Sequence, residues 1–547
     1  MDAVTIRGGR LVAPLLLAVI LAGCAGTGTP RDVAAPSTPV TDARGADMRV
    51  RTLRVLHTND FHGRLLPELW PAATGAVGGS ALLAAHVDSA RARFVGPVLL
   101  LSGGDDMQGT AISNLSWGAA TIASHNALRY TAAAFGNHEF DWGVDTLRAR
   151  VRESQFPWLA ANIVETATGR PPSWLRPWVM FDTLGVRVAI IGAALPETPW
   201  VVLADRVAGL TFQPAAPAID AAARAARSAG ADFVVVTMHI GVTCAQAGTA
   251  PRERSTQCVG DALSVADALT ERVDLIVGGH THRRAITSAS GVPIIEAASN
   301  SQAVSITDLE RRGSSEARVT DQRVEWITAD NVTPSPTVAA LVESWNNRVR
   351  PLTERVVTEF AEVMRSGERD SYLGNIIADA FLASTGADVV LLNNGSLRRS
   401  LPAGPVTFGM LYELQPFQNK LVVVTAPARV LREALEVGAR GPGGRVSVHI
   451  AGARVTLDTL VATEGRVRAM TLTDGRVLND SDVIRIGLTD FVAGGGDRFT
   501  MFGGHPRQET GIVDVDALVR YLSQQSAPVQ APRDRRFILS GGGPPPP

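Results

Sequence analysis

"VLHTNDFHGR", residues 55–64, is an apolar run that ends abruptly in Asp60 and His62. A strand that stops at a carboxylate and an imidazole either is capped by a polar turn or carries half of a metal site whose other ligands lie far along the chain. The same habit recurs downstream. Short segments rich in Val, Leu and Ile, "LRVLHT" (53–58), "VLLLSGG" (98–104), "AAAFGN" (132–137), "RVAIIGA" (187–193), "FVVVTMH" (233–239) and "LIVGGHTH" (275–282), nearly all run straight into polar residues at their C-terminal ends. Buried strands of this kind, separated by helical or loop segments, predict a layered α/β fold, in which functional groups collect beyond the carboxyl ends of the strands.

The polar clusters are Asp60 and His62 in "NDFHG", Asp105 in "GGDDMQG", Asn137 and His138 in "GNHEFD", His239 in "MHIG", and His280 with His282 in "GGHTH". Half of the ten histidines, His138 among them, fall at these positions. A single strand-end His is most often a hydrogen-bonded structural residue, but the joint pattern demands a shared purpose. Imidazole, carboxylate and amide donors without Cys suit divalent ions such as Zn, Mn, Fe or Co, and differ from a closed structural zinc site. Asp106, the next residue, reads either as a group that supports the ligands from behind or as a solvated turn carboxylate, and the second reading is preferred.

Composition bounds the rest. A chain of 547 residues, 45% hydrophobic and 19% charged, is long enough for more than one core, which predicts two globular domains. Its 52 basic and 53 acidic residues leave no basic surplus to neutralise a phosphate backbone, so polymeric nucleic acid is excluded as an expected partner. Residues 1–23 have the layout of a secretory signal, with Arg7 and Arg10 ahead of an apolar stretch too short to span a bilayer comfortably. That stretch ends in "LAGC", which resembles the bacterial lipobox and implies lipidation of Cys24 and membrane anchoring. Residues 24–48, rich in Ala, Thr, Pro and Gly, read as a flexible tether. With Cys24 so used, Cys244 and Cys258 remain as a pair in an exported protein and are expected to form a disulfide.

The ordered set NDFHG, GD-x-x-QG, GNHEFD, HIG and GHTH resembles that of binuclear metallophosphoesterases of the 5'-nucleotidase type, a family that also holds UDP-sugar hydrolases and 2',3'-cyclic phosphodiesterases. The resemblance implies a four-layer αββα sandwich over residues 49–330. It implies that Asp60, His62 and His282 hold one divalent ion, that Asn137, His239 and His280 hold a second, and that Asp105 bridges the two. Relatives often carry Gln at the position of His282. By the same resemblance His138 stabilises the transition state or protonates the leaving oxygen, with Asp141 orienting its ring; Asp141 also stands where it could cap a helix starting near Trp142. The chemistry requires such a pair of ions because a phosphate ester is anionic and water a weak nucleophile. Two cations roughly 3.5–4 Å apart generate a bound hydroxide and neutralise charge on the phosphoryl oxygens.

Residues 333–356 begin with a Pro-rich break and continue as an amphipathic helix, the expected linker. From 357 to 540 there is no metal-ligand spacing. Two Phe in Gly- or Pro-framed loops, with Asn and Arg in a turn, suit stacking and hydrogen bonding of a planar ring. This half resembles the α+β C-terminal substrate domain of the same family. The likeness implies that Phe417 and Phe491 sandwich a nucleobase, that Asn393 and Arg398 contact the nucleotide, and that Asp497 binds the ribose hydroxyls. Gly367 stands where relatives often have Arg, and Arg369 matches a second Arg common among them. Residues 541–547 read as a disordered tail.

The reading is an exported, monomeric, periplasmic or cell-surface lipoprotein that uses two divalent ions of Zn, Mn or Co type to release phosphate from small nucleotides. A 2',3'-cyclic-nucleotide phosphodiesterase with 3'-nucleotidase activity, a UDP-sugar hydrolase and, from another class, a non-catalytic nucleotide-binding lipoprotein are the alternatives.

Overall fold

A computed structural model describes residues 49–69, 75–330, 332–366, 371–439, 446–458, 460–461 and 465–540. Cys24, the signal and tether assigned to residues 1–48, Gly367, Arg369 and the tail 541–547 lie outside the described residues.

Two six-stranded sheets form the first half. In the first, the strand order is Arg318–Trp326, Ala303–Arg312, Val50–Thr58, Val98–Ser102, Ala132–Ala134 and Trp158–Leu159, and the last four run parallel. In the second it is Arg284–Ala289, Val292–Ala297, Leu275–Val277, Phe233–Met238, Val186–Ala193 and Trp178–Thr183, with the middle four parallel. Side chains alternate across each strand, and the alternation decides the layers. Leu53 and Val55 meet Val188, Ile190, Phe233 and Val235 between the sheets. Leu56 points the other way, into helices Ser80–Ala92, Ala119–Leu128 and Gly143–Glu153. Ala189 and Ile191 pack outward on helix Ala215–Ser228. The result is a helix–sheet–sheet–helix sandwich whose cores are dense enough that Ile190→Ala would cost about 2–5 kcal/mol.

Sheet parallelism brings the strand ends of "LRVLHT", "VLLLSGG", "AAAFGN", "FVVVTMH" and "LIVGGHTH" to one edge of the sandwich. The loop after "FVVVTMH" extends into a hairpin, Thr243–Gln246 paired with Thr256–Val259, in which Cys244 and Cys258 are register partners joined by a disulfide. Buried Arg284 braces that hairpin by donating to the carbonyls of Ala250 and Glu253.

Helix Pro336–Thr353 starts at Ser335, whose side chain accepts from the Val338 amide, with Pro336 in the first turn where its missing N–H costs nothing. Val338 and Val342 bury against the first sandwich core. Beyond it, a five-stranded sheet orders Val448–Ala451, Val389–Asn393, Val483–Thr489, Lys420–Pro427 and Arg507–Val513. Helices Tyr372–Thr385 and Asp514–Ser523 cover one face through Ile377, Phe381 and Leu518. Helix Ala428–Gly438 and a three-stranded sheet cover the other through Leu431, Leu435, Val455 and Met470. The halves touch at helix Ala111–Asn114: Ala111 is buried in the core of the second half, and Asn114 Nδ2 donates to the Pro416 carbonyl at 3.0 Å. Among the described residues no helix is long and apolar enough to cross a membrane.

Candidate functional site

Three of the loops that leave the parallel strands turn sharply, and the backbone records it. Asp60, His62, Asp105, His280 and His282 all have φ between 50° and 80°, a region that costs a non-glycine residue free energy and persists where the surroundings over-determine it. These are five of the seven residues read as ligands from the sequence.

Six of the seven side chains fall into two groups, and the seventh, Asn137, lines one cleft with His280. Asp60, His62 and His282 form one group and Asp105, His239 and His280 another, the donor atoms within each lying within 4.8 Å of one another. In the first, His282 Nε2 stands 3.2 Å from Asp60 Oδ1 and 3.0 Å from His62 Nε2. In the second, His239 Nε2 stands 3.0 Å from Asp105 Oδ2. Asp105 Oδ2 also lies 4.0 Å from His62 Nε2, so this one oxygen faces both groups. Its other oxygen accepts the His138 amide at 2.8 Å.

The donor set fits divalent cations. His62 Nδ1 and His239 Nδ1 each meet a backbone carbonyl, of Gln108 and of Gly103, at 2.8 Å, which fixes the proton on Nδ1 and turns the Nε2 lone pair into the cluster. Asp60 Oδ1, Asn137 Oδ1 and His239 Nε2 are buried and lack a hydrogen-bond partner among the described residues, a costly state that a cation relieves. Burial pushes the Asp60 carboxyl up, but His282 and His239 outweigh it and hold it well below the usual range.

Beside Asn137, the ring of His138 presents Nδ1 to Asp141 Oδ2 at 2.8 Å. Burial lowers its basicity, Asp141 and Asp105 raise it, and the net effect is a ring held above its ordinary value. Helix Gly143–Glu153 has Trp142 at its cap position and no side-chain cap bond, so Asp141 serves His138 alone. Asp106 departs from the sequence expectation of a solvated turn carboxylate. It is fully buried, accepts the Ser102 hydroxyl at 2.7–2.8 Å and lies 3.2 Å from His125 Nε2, because the loop folds back beneath the cluster.

The second half closes the site. One cleft is lined by Asn137, His138, Asp141 and His280 on one side and by Asn393, Arg398, Phe417, Phe491 and Asp497 on the other. Asn393 Nδ2 donates to Asp497 Oδ2 at 2.7 Å, while Asn393 Oδ1 is a further buried orphan. Arg398 reaches back so that Nη2 is 3.4 Å from His62 Nε2, and its guanidinium sits 5.6 Å from the Phe417 ring centre. Phe491 lies in the space left by Gly496, where a Cβ would come within 2.4 Å of the ring. Val201, Val202 and Leu203, which sequence reasoning missed, add an apolar wall from the first half. Asn59, also missed, donates to Asp60 Oδ2 at 2.6 Å and thereby fixes which oxygen turns inward. Its place in "NDFHG" was the only available signal.

Comparison with known proteins agrees with this geometry. Residues 53–284 match the calcineurin-like phosphoesterase family and residues 352–504 the 5'-nucleotidase C-terminal domain. The chain belongs to the metallophosphoesterases built from these two parts, and it is a metal-dependent phosphoester hydrolase. It is 26% identical over 568 residues to the 5'-nucleotidase of Vibrio cholerae, covering 95% of this chain and 97% of that one. It is 25% identical over 515 residues to the endonuclease YhcR of Bacillus subtilis, covering 89% of this chain but only 41% of that relative's length. The crystal structure of a 5'-nucleotidase precursor from Thermus thermophilus superposes with a TM-score of 0.79 at 26% identity, covering 90% of this chain and 100% of that one.

Proposed function

We propose that the protein is a 5'-nucleotidase, which releases nucleoside and phosphate from nucleoside monophosphates. The observation that carries this reading is the shared cleft, where the metal-type donors His280 and Asn137 and the aromatic side chains Phe417 and Phe491 line one space. In this reading Asp60, His62 and His282 hold one divalent ion of Zn, Mn or Co type, Asn137, His239 and His280 hold the other, and Asp105 is shared. Such ions, when bound, activate the attacking water and neutralise the phosphoryl oxygens.

The chain's own residues do the rest. Asp141 occupies His138 Nδ1, which leaves Nε2 to hand a proton to the leaving oxygen. The raised basicity of His138 keeps that proton in place before transfer. Arg398 brings a fixed positive charge to the phosphoryl side of the cleft, where its planar fork matches phosphate oxygens. Phe417 and Phe491 stack the base, and Asn393 and Asp497 meet the sugar; Arg369, read from the sequence as a further substrate-binding residue, lies outside the described residues. Balanced charge, 52 basic against 53 acidic residues, favours small nucleotides over polymers. The signal-like N-terminus and Cys24 support an exported, lipid-anchored enzyme of the periplasm or cell surface, organised as domains 49–330 and 357–540 joined by 333–356.

Phosphate release from AMP, UMP, ATP, UDP-glucose and 2',3'-cyclic AMP, with Mn or Zn added, tests the assignment. Preference for the monophosphates supports it. Activity confined to the cyclic nucleotide or to UDP-glucose would instead favour the phosphodiesterase or UDP-sugar hydrolase reading.

A further inference from the structure

Besides Asp106, two buried glutamates next to the ligand loops belong to neither ligand group. Glu139 is 1% exposed, in the short turn His138–Phe140, and Glu296 is fully buried on strand Val292–Ala297. Each one ties together two loops that carry ligands. Glu139 Oε2 accepts the amides of Asp105 and Gly136 at 2.8 and 2.7 Å, and Oε1 accepts the Asp106 amide at 2.8 Å. It therefore joins the Asp105 loop to the loop of Asn137. Glu296 Oε1 accepts the Val242 amide, three residues beyond His239, and Oε2 accepts the hydroxyl of Thr281, which stands between His280 and His282. Those two loops meet there backbone to backbone: a Cβ on Gly241 would come within 2.2 Å of the Gly279 carbonyl oxygen and 2.5 Å of Glu296 Oε1.

We propose that Glu139 and Glu296 are paired positioning residues, buried clamps that pre-set the ligand loops of the first and second sheet for the two divalent ions. The inference rests on the ligand reading given above. Partners one step removed from a metal are worth about 10–100-fold in metal affinity, because they remove the freedom the ligands would otherwise lose on binding.

The two clamps differ in the protons they require, and this makes the inference testable with one isosteric change. Glu139 faces only N–H donors, so both of its oxygens must accept, and a glutamine would aim an NH₂ at an N–H. Glu296 faces one N–H and one hydroxyl. Thr281 Oγ1 lies 2.8 Å from the Val242 carbonyl as well, so with glutamine at 296 it can accept from the amide and donate to that carbonyl.

The experiment uses the full chain and its Glu296→Gln, Glu296→Ala and Glu139→Gln variants, stripped with chelator. Mn²⁺ binding is followed by calorimetry, and the melting temperature is recorded with and without Mn²⁺. The expected result is Mn²⁺ affinity within about threefold of wild type for Glu296→Gln, and a loss of about tenfold or more for Glu296→Ala and Glu139→Gln, with a smaller Mn²⁺-induced rise in melting temperature. Should Glu296→Ala fail to fold, the two isosteric glutamine variants still decide the matter. Wild-type affinity in Glu139→Gln, or equal losses in Glu296→Gln and Glu139→Gln, overturns the proposal. A wild type that binds Mn²⁺ but releases no phosphate from nucleotides would overturn the functional reading while the affinity pattern still upholds the clamps.

Discussion

The ring of Phe417 lies nearly parallel to that of His138, with centroids 5.5 Å apart and planes at 28°. One residue belongs to the half that carries the metal-type donors and the other to the half that carries the aromatic loops. In the proposed reading, chemistry and recognition are therefore in contact. Base stacking on an aromatic side chain is worth about 1–3 kcal/mol, so Phe417→Ala should lower kcat/KM for AMP by about 10–100-fold. β-Glycerophosphate has no base to stack and should keep its kcat/KM within about threefold. Equal losses on both substrates would show that Phe417 supports His138 and does not read the base.

His138 is expected to matter in proportion to how badly the leaving oxygen needs a proton. His138→Asn should reduce kcat on AMP by about 10²–10⁴-fold, the range of general acid catalysis, and on p-nitrophenyl phosphate by about tenfold or less. Asp141→Asn should show the same ordering, since it removes the carboxylate on Nδ1. Identical losses on the two esters would contradict a proton-donating role.

Asn114 connects the two halves at the site itself. Its Oδ1 accepts the Gly109 amide at 2.8 Å, one residue from the Gln108 carbonyl that orients His62, and its Nδ2 holds the Pro416 carbonyl just before Phe417. Asn114→Asp keeps the first bond and turns a lone pair toward Pro416. One such bond is worth about 1 kcal/mol, so KM for AMP should rise about fivefold to tenfold with Mn²⁺ stoichiometry unchanged. Loss of metal from this variant would mean that Asn114 serves the ligand loop first.

The second half carries its own pH sensitivity. His449 is buried, with Nε2 3.1 Å from Asn394 Oδ1, and burial together with Arg536 pushes it down to about 4. A histidine depressed in the folded state is neutral there while the unfolded chain takes up a proton. Its contribution is fully present above the ordinary histidine value and is lost as pH falls through that value toward 4. The loss amounts to about 3 kcal/mol across that window. Denaturation at pH 7.5 and at pH 4.5 should show a smaller pH-dependent drop in stability for His449→Gln than for wild type; parallel drops would locate the sensitivity elsewhere.

Much of this site was legible in the sequence because its loops follow short apolar strands directly, so Asp60, Asp105, Asn137, His239 and His280 each announce themselves at a strand end. The strand that carries Glu296 gave no such signal. "VPIIEA" places a glutamate near the end of an apolar strand, and its meaning depends on Val242 and Thr281, two loops that only the folded sheet brings together. Glu139 stood in plain view inside "GNHEFD", yet its partners are backbone amides, which leave no trace in residue identity. The preferred reading of Asp106 as a solvated turn carboxylate fails for a related reason: a carboxylate beside Gly, Asp and Gln looks like a turn residue, and only the fold shows Ser102 and His125 beneath it. The apolar wall of Val201–Leu203 was hidden because an exposed-looking turn acquires its role from the second half.

The central claim is that the seven side chains read as ligands hold two ions that act on a nucleotide bound by the other half. The most direct test titrates Mn²⁺ into the chelator-stripped full chain while phosphate release from AMP and bound metal per chain are measured together. The account predicts no turnover without metal, activity that saturates as bound metal approaches two ions per chain, and a loss of about 10²-fold or more in Asn137→Ala at the same total Mn²⁺. Turnover in the stripped chain, or undiminished turnover in Asn137→Ala, would contradict it.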